Sequence, residues 1–300
     1  MTAGSLASQL QTVYHIAGNY VYLVDTEIGR HMVKTPYLAA LLFACMTTSS
    51  PSIAEQAAND QGMYVGLFGG LGAATATSLQ QQGAVYLRPP QKLPILPINA
   101  KGSTASSTSV ALGGAHLGYE WNRLNLDSNW GLRPAAELEG IYIGKHSPTG
   151  EMPVMPRFLG MQYVTVPTTA GVFLANAIFT LETPYSSKVF PYIGLGAGMA
   201  FVSIKGSDSA NPSEPGINHF NSDPDASDSA FAMQVKAGIK GHITKNLRLF
   251  AEYRHLSIDA TSYKFGATDY PGLHLPTATW HVNMGRQKYN LFVAGLQYKF

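Results

Sequence analysis

The last ten residues, Leu291 to Phe300, alternate in period two. Phe292, Ala294, Leu296, Tyr298 and Phe300 share one face, and Val293, Gly295, Gln297 and Lys299 share the other. That pattern predicts a β-strand, because successive side chains of a strand point to opposite faces. Its apolar face runs to the C-terminal residue, with no following segment to cover it. A bilayer supplies such cover, and one-sided apolar strands of about ten residues are long enough to cross it in a barrel. Composition agrees: only 13% of the chain is charged, about half the share usual in soluble domains. Beyond the N-terminal region, no apolar run approaches the ~20 residues of a membrane helix.

From Gly62 onward the chain divides into eight alternating segments. They are Met63–Ala73, Ser109–Arg123, Gly131–Lys145, about Thr168–Leu181, Val189–Ile204, Ala230–Ile243, Leu247–Ser262 and the terminal strand. Short links at 124–128, 183–186 and 244–246 alternate with long ones at 74–108, 146–167, 205–229 and 263–288. An even strand count with alternately short and long connections is the layout of bacterial barrels. The predicted fold is therefore all-β, an eight-stranded antiparallel up-and-down transmembrane β-barrel with four long external loops and both termini periplasmic. Glu120, Glu137, Glu139, Lys236, Lys240, Glu252 and Arg254 fall at positions of inward parity. There they can pair across a plugged, polar lumen, whereas a cation facing lipid at the midplane costs ~2–4 kcal/mol. Tyr119, Tyr142, Tyr163 and Tyr289, near expected strand ends, suit an interfacial aromatic girdle. A water-soluble eight-stranded barrel or sandwich is the competing architecture and inverts the faces.

Met32-Val33-Lys34, the apolar run Tyr37–Met46 and the small residues ending Ser52-Ile53-Ala54 have the layout of a signal peptide, residues 32–54, cut after Ala54. Translation from Met32 leaves residues 1–31 as an extension. Residues 55–61 are then a short periplasmic lead-in to a barrel over 62–300. A lipoprotein cut before Cys45 competes with this reading, but Phe43 is bulky for the required motif.

Several chemistries are disfavoured. A net charge of +2 without a basic stripe argues against nucleic acid. One cysteine excludes an internal disulfide or a multi-thiolate centre. The nine histidines are scattered without metal-ligand spacing, so neither metal nor cofactor is expected. The run Ser207–Asp228 lacks the glycine placement and final glutamate of a calcium loop, and reads as a solvated loop. Gly66, Gly69, Gly70 and Gly72 sit within a strand and open no helix, so a dinucleotide site is not expected.

Three segments resemble the small Gram-negative outer-membrane barrel superfamily that includes surface-antigen and opacity-type proteins. They are Phe190-Pro191-Tyr192-Ile193-Gly194-Leu195-Gly196-Ala197-Gly198, Ala251-Glu252-Tyr253-Arg254 and Gly295 to Phe300. The resemblance spans about 62–300. It implies an outer-membrane address, contact with lipid and lipopolysaccharide, and a terminal signal at Tyr298 and Phe300 for the outer-membrane assembly machinery. It also implies a non-enzymatic surface role, as structural protein, adhesin or antigen, with loops meeting a host or surface ligand. A second implied reading is enzymatic: His255-Leu256-Ser257 is similar to the lipid A deacylase family, which would make Ser257 the nucleophile and His255 its base. Ile258 replaces that family's Asn, and only Asp259 or Asp269 stands near for its missing Glu. A narrow small-solute channel is the third reading, for which Gly194, Gly196 and Gly198 leave room that Phe190 and Tyr192 fill.

Overall fold

The computed structural model describes residues 61–86, 94–105, 107–126, 129–186 and 188–300, with the backbone of 14–17 and 20–23. The expected signal peptide, its cleavage at Ala54 and the lead-in before residue 61 lie outside the described residues. Within the unit 1–55, β1 (Tyr14–Ala17) pairs antiparallel with β2 (Tyr20–Leu23).

The described residues of the unit 56–300 form strands with one 3-10 turn at Arg157–Leu159. In chain order they are β3 (Gly62–Thr75), β4 (Ser78–Tyr86), β5 (Pro94–Thr104), β6 (Ser107–Glu120), β7 (Leu124–Asn125), β8 (Gly131–His146), β9 (Thr149–Met155) and β10 (Met161–Thr165). There follow β11 (Thr168–Glu182), β12 (Val189–Ile204), β13 (Asp208–Ala210), β14 (Ala226–His242), β15 (Leu247–Ile258), β16 (Thr261–Phe265), β17 (Trp280–Met284) and β18 (Gln287–Lys299). No helix among the described residues is long and apolar enough to cross a membrane.

Eight strands close a barrel in the order β3-β6-β8-β11-β12-β14-β15-β18, with β18 pairing back onto β3 and every pair antiparallel. These are the eight segments expected from the alternation. Their outward faces carry exposed apolar side chains, among them Leu67, Leu138, Phe173, Leu195, Val235 and Phe292.

The long connections depart from the expectation of irregular loops. They contain a second sheet in the order β13-β10-β9-β5-β4-β17-β16. Its strands continue barrel strands beyond short breaks such as Ser147-Pro148, Val166-Pro167 and Asp259-Ala260. Proline has no N–H for the ladder, which explains the interruption at 148 and 167. The wall is still stitched across this level, where Val166 N–H donates to Pro148 O and Gly285 N–H to Ser78 O. At the Asp259-Ala260 break the inward positions change parity, from Leu256 and Ile258 to Thr261, Tyr263 and Phe265. A seventh segment read through to Ser262 therefore merged two strands with opposite phase.

The same level marks an inversion of polarity. Below it, Leu249 and Tyr253 face out while Arg248, Glu252 and Arg254 face in. Above it, Tyr263, Phe265, Trp280, Val282 and Met284 form an apolar interior, while Ser262, Lys264, His281 and Asn283 face out. A wall apolar outside fits lipid, and a wall polar outside fits water. The lumen is correspondingly divided. Its short-turn half is charged, but its loop half is lined by Leu112, Ile143, Val172, Val202, Leu256 and Leu291. The expected polar plug is therefore polar over only part of its height. Two girdle assignments also change. Tyr289 is fully buried, its ring edge-on to His146, and Tyr163 belongs to β10 of the second sheet.

Candidate functional site

The inward parity of β6, β8, β14 and β15 brings all seven expected lumen charges into the barrel, where they form two tiers. The tier nearer the short turns centres on Glu120, which is 0% exposed. Its carboxylate accepts from Lys240 Nζ at 2.8 Å, Lys299 Nζ at 2.8 Å and Arg248 Nη1 at 3.0 Å. Arg133 stands 3.6 Å away and shares Glu182 with Arg123. In the upper tier, Lys236 Nζ lies 2.6 Å from Glu137 and 3.5 Å from Glu139. Arg254 pairs with Glu139 at 2.6 Å and with Glu252, and covers the Phe68 ring at 4.3 Å. Lys236 and Arg254 are direct cross-strand neighbours, so their mutual repulsion requires the carboxylates that reach across from β8.

Neutral groups complete the tier. Asn176 donates to Glu137 and Glu139, Tyr64 to Glu137, and Tyr192 to Glu252. Arg133, Arg248, Lys299 and Glu182 were missing from the expected network. The first three carry the signal that identified the others, an inward position on a barrel strand. The glycine ladder leaves no open room. A Cβ at Gly196 would stand 1.9 Å from Asn176 Oδ1, and one at Gly194 2.6 Å from Ile178. The cavity left among Tyr64, His116, Tyr192, Lys236 and Glu252 offers water about 20 Å³, room for about one molecule. Each of these four carboxylates, Glu120, Glu137, Glu139 and Glu252, is held by at least one cation.

His255 and Ser257 lie on the outward face of β15, near the level where that face turns polar. His255 Nδ1 meets Asn290 Oδ1 at 2.8 Å, and Tyr253 donates to the same oxygen. An amide thus occupies the place where a triad needs a carboxylate. Asp259 is instead paired with Arg286 at 2.9 Å. Among the described residues no hydrogen bond joins His255 to Ser257. Tyr298 and Phe300 point outward with ring centres 5.3 Å apart.

At the loop end, Glu214, His219 and His274 converge from two connections. This corrects the reading of the histidines as scattered: His274 is remote from the other two in sequence, so no spacing rule could join them. A second group, His116 with Glu137 and Glu139, already has Lys236 and Arg254 as its cations and is part of the lumen network.

Among solved structures, the chain is similar to the outer membrane protease OmpT from Escherichia coli (9% identity, 84% of this chain and 100% of that one, TM-score 0.38). It is also similar to Neisserial surface protein A (15%, 80% and 97%, 0.33) and to outer membrane protein OprG from Pseudomonas aeruginosa (13%, 80% and 96%, 0.37). No curated protein matches the chain. The family described as outer membrane protein beta-barrel domain matches residues 38–300. With its closed eight-stranded wall, apolar outside and charged within, the chain belongs to the outer membrane protein beta-barrel domain family.

Proposed function

We propose that this outer-membrane barrel is a non-enzymatic surface protein. The barrel anchors a folded layer, the second sheet, which lies outside the cell and makes the contacts, with the C-terminus in the periplasm. The observation that carries this reading is the division of labour between the two levels. The barrel interior is filled by ion pairs and apolar side chains, so it offers neither a path nor a reactive group. The long connections instead form a cored layer whose polar outer face is available. Binding residues are commonly carried by loops held on a rigid scaffold, and here the scaffold extends into the connections themselves.

The test combines orientation with conductance. Cysteine placed at Lys264 or His281 is expected to react with a membrane-impermeant maleimide on intact cells. The purified barrel is expected to give no steady conductance in planar bilayers. Protection of both positions, or stable channel currents, would overturn the reading. Lipid A from the same cells, compared with a Ser257→Ala control, separates it from the deacylase alternative. Loss of an acyl chain only with intact Ser257 would make the protein an enzyme.

A further inference from the structure

We propose that Glu214, His219 and His274 form a zinc site in the outer layer. His219 and His274 each commit Nδ1 to a backbone carbonyl. His219 Nδ1 lies 2.7 Å from Ser209 O, and His274 Nδ1 lies 2.5 Å from Leu275 O. A carbonyl only accepts, so each Nδ1 carries a proton, and each Nε2 is left to face the carboxylate, as a donor in the imidazolium form and as a lone pair in the neutral form. Both Nε2 atoms face the same carboxylate: His219 Nε2 is 3.0 Å from Glu214 Oε2, and His274 Nε2 is 3.4 Å from Glu214 Oε1. In the neutral form the three groups turn acceptors toward one point, all within 4.8 Å of one another, and a metal ion can there replace the protons that would otherwise join them.

Their spacing suits such an ion. Tetrahedral zinc with bonds of about 2.0–2.1 Å sets neighbouring donors about 3.3 Å apart. Two imidazoles and a carboxylate are a donor set zinc accepts, with a fourth position left for water. The Nδ1-to-carbonyl bonds are the outer contacts that fix ring orientation in zinc sites.

The surroundings hold the donors in place. His219 N–H also donates to Ser209 O, and Glu214 N–H to Asn211 O. Thr268 Oγ1 donates to His219 O, and Trp280 Nε1 donates to Thr268 Oγ1. The two connections also exchange hydrogen bonds between Asn221 and Asp269, so little ordering remains for the ion to impose. The His219 side chain is 7% exposed and that of Glu214 35%, which leaves the ion a route in from solvent. Zinc here would pin the connection after β13 to the one between β16 and β17. That is where the second sheet has its two terminal strands, β13 and β16.

The test uses the full folded protein, stripped with chelator and titrated with zinc by calorimetry. Cobalt serves as a spectroscopic substitute, read by its visible absorption and by quenching of Trp280, whose ring centre lies 5.9 Å from that of His219. One zinc per chain is expected, with affinity reduced about tenfold or more in both Glu214→Gln and His274→Ala. Each variant is checked for heat-modifiable gel migration, so that loss of metal is separated from loss of fold. Absence of binding by the wild-type protein would overturn the assignment. So would stoichiometric binding that survives in both folded variants, because the ion would then lie elsewhere.

Discussion

Replacing Glu120 by Gln removes a charge and almost no volume, so it isolates the electrostatic role of the lower tier. The carboxylate has three ammonium or guanidinium nitrogens within about 3 Å, from Lys240, Lys299 and Arg248. At an effective dielectric constant near 20, each such contact amounts to about 5 kcal/mol before desolvation is subtracted. Removing one partner of a buried pair costs about 3–5 kcal/mol, because the remaining charge stays desolvated. Glu120 serves three cations, so the upper part of that range applies. A loss of about 4–5 kcal/mol lowers the folding equilibrium roughly a thousandfold or more. The assay is a urea titration of protein folded into phospholipid vesicles, followed by tryptophan fluorescence, with gel migration as an independent probe. Adding Lys240→Met to Glu120→Gln should recover part of the loss, since one stranded cation disappears with it. A Glu120→Gln protein within about 1 kcal/mol of wild type, at unchanged slope, would refute the view that this carboxylate holds the tier together.

Three further outcomes are expected. Leu138→Arg, outward and 62% exposed at mid-strand in β8, should cost about 2–4 kcal/mol in vesicles. Asn283→Arg, on the outer face of β17, should stay within about 0.5 kcal/mol, and equal costs would misplace the water boundary. Tyr192→Phe, which deletes the hydroxyl donating to Glu252, should lose about 1.5–3 kcal/mol in the same titration; an unchanged midpoint would show that hydroxyl to be dispensable. Burial pushes the Tyr263 phenol up to about 12 from its ordinary value near 10. The unfolded chain therefore ionises first, and the stability this residue contributes is complete below pH ~10 and declines as pH rises to about 12. Tyr263→Phe should remove that alkaline slope, worth about 2–3 kcal/mol, and an identical slope in both proteins would count against it.

The barrel was legible because its outward face is apolar along each strand while its inward face, over the short-turn half, carries charges and glycines. Period two survives even where glycines thin one face, as at Gly194, Gly196 and Gly198. The outer layer was not, for a physical reason. Trp280-His281-Val282-Asn283-Met284 alternates as cleanly as any barrel strand, but it is short, and the parity slips on either side of it, at Asp259-Ala260 and at Gly285-Arg286, prevent a continuous reading. Its faces also carry the opposite meaning, apolar inward instead of outward; nearness to an expected strand end, the ground for placing Tyr163 and Tyr289 in a girdle, does not tell which sheet or which face a residue occupies. The lumen charges followed from parity alone. Which acid meets which base did not, because Glu120 and Lys299 are joined across the barrel seam between β3 and β18. The histidine pair is the extreme case: Glu214 and His219 lie in one connection, His274 in another, and only the folded layer makes them neighbours.

With this layer outside the cell, as proposed, the pairing within it bears on how antibodies would see it. β4 pairs with β17, β5 with β9, and β10 with β13, so each of the four connections completes its strands with hydrogen bonds from another. A peptide copied from one connection carries neither those partners nor the apolar interior that fixes which side chains face water. Sera raised against such peptides would recognise the unfolded chain and bypass the intact cell. An immunogen for this surface has to keep the barrel, because the barrel holds the four segments in register.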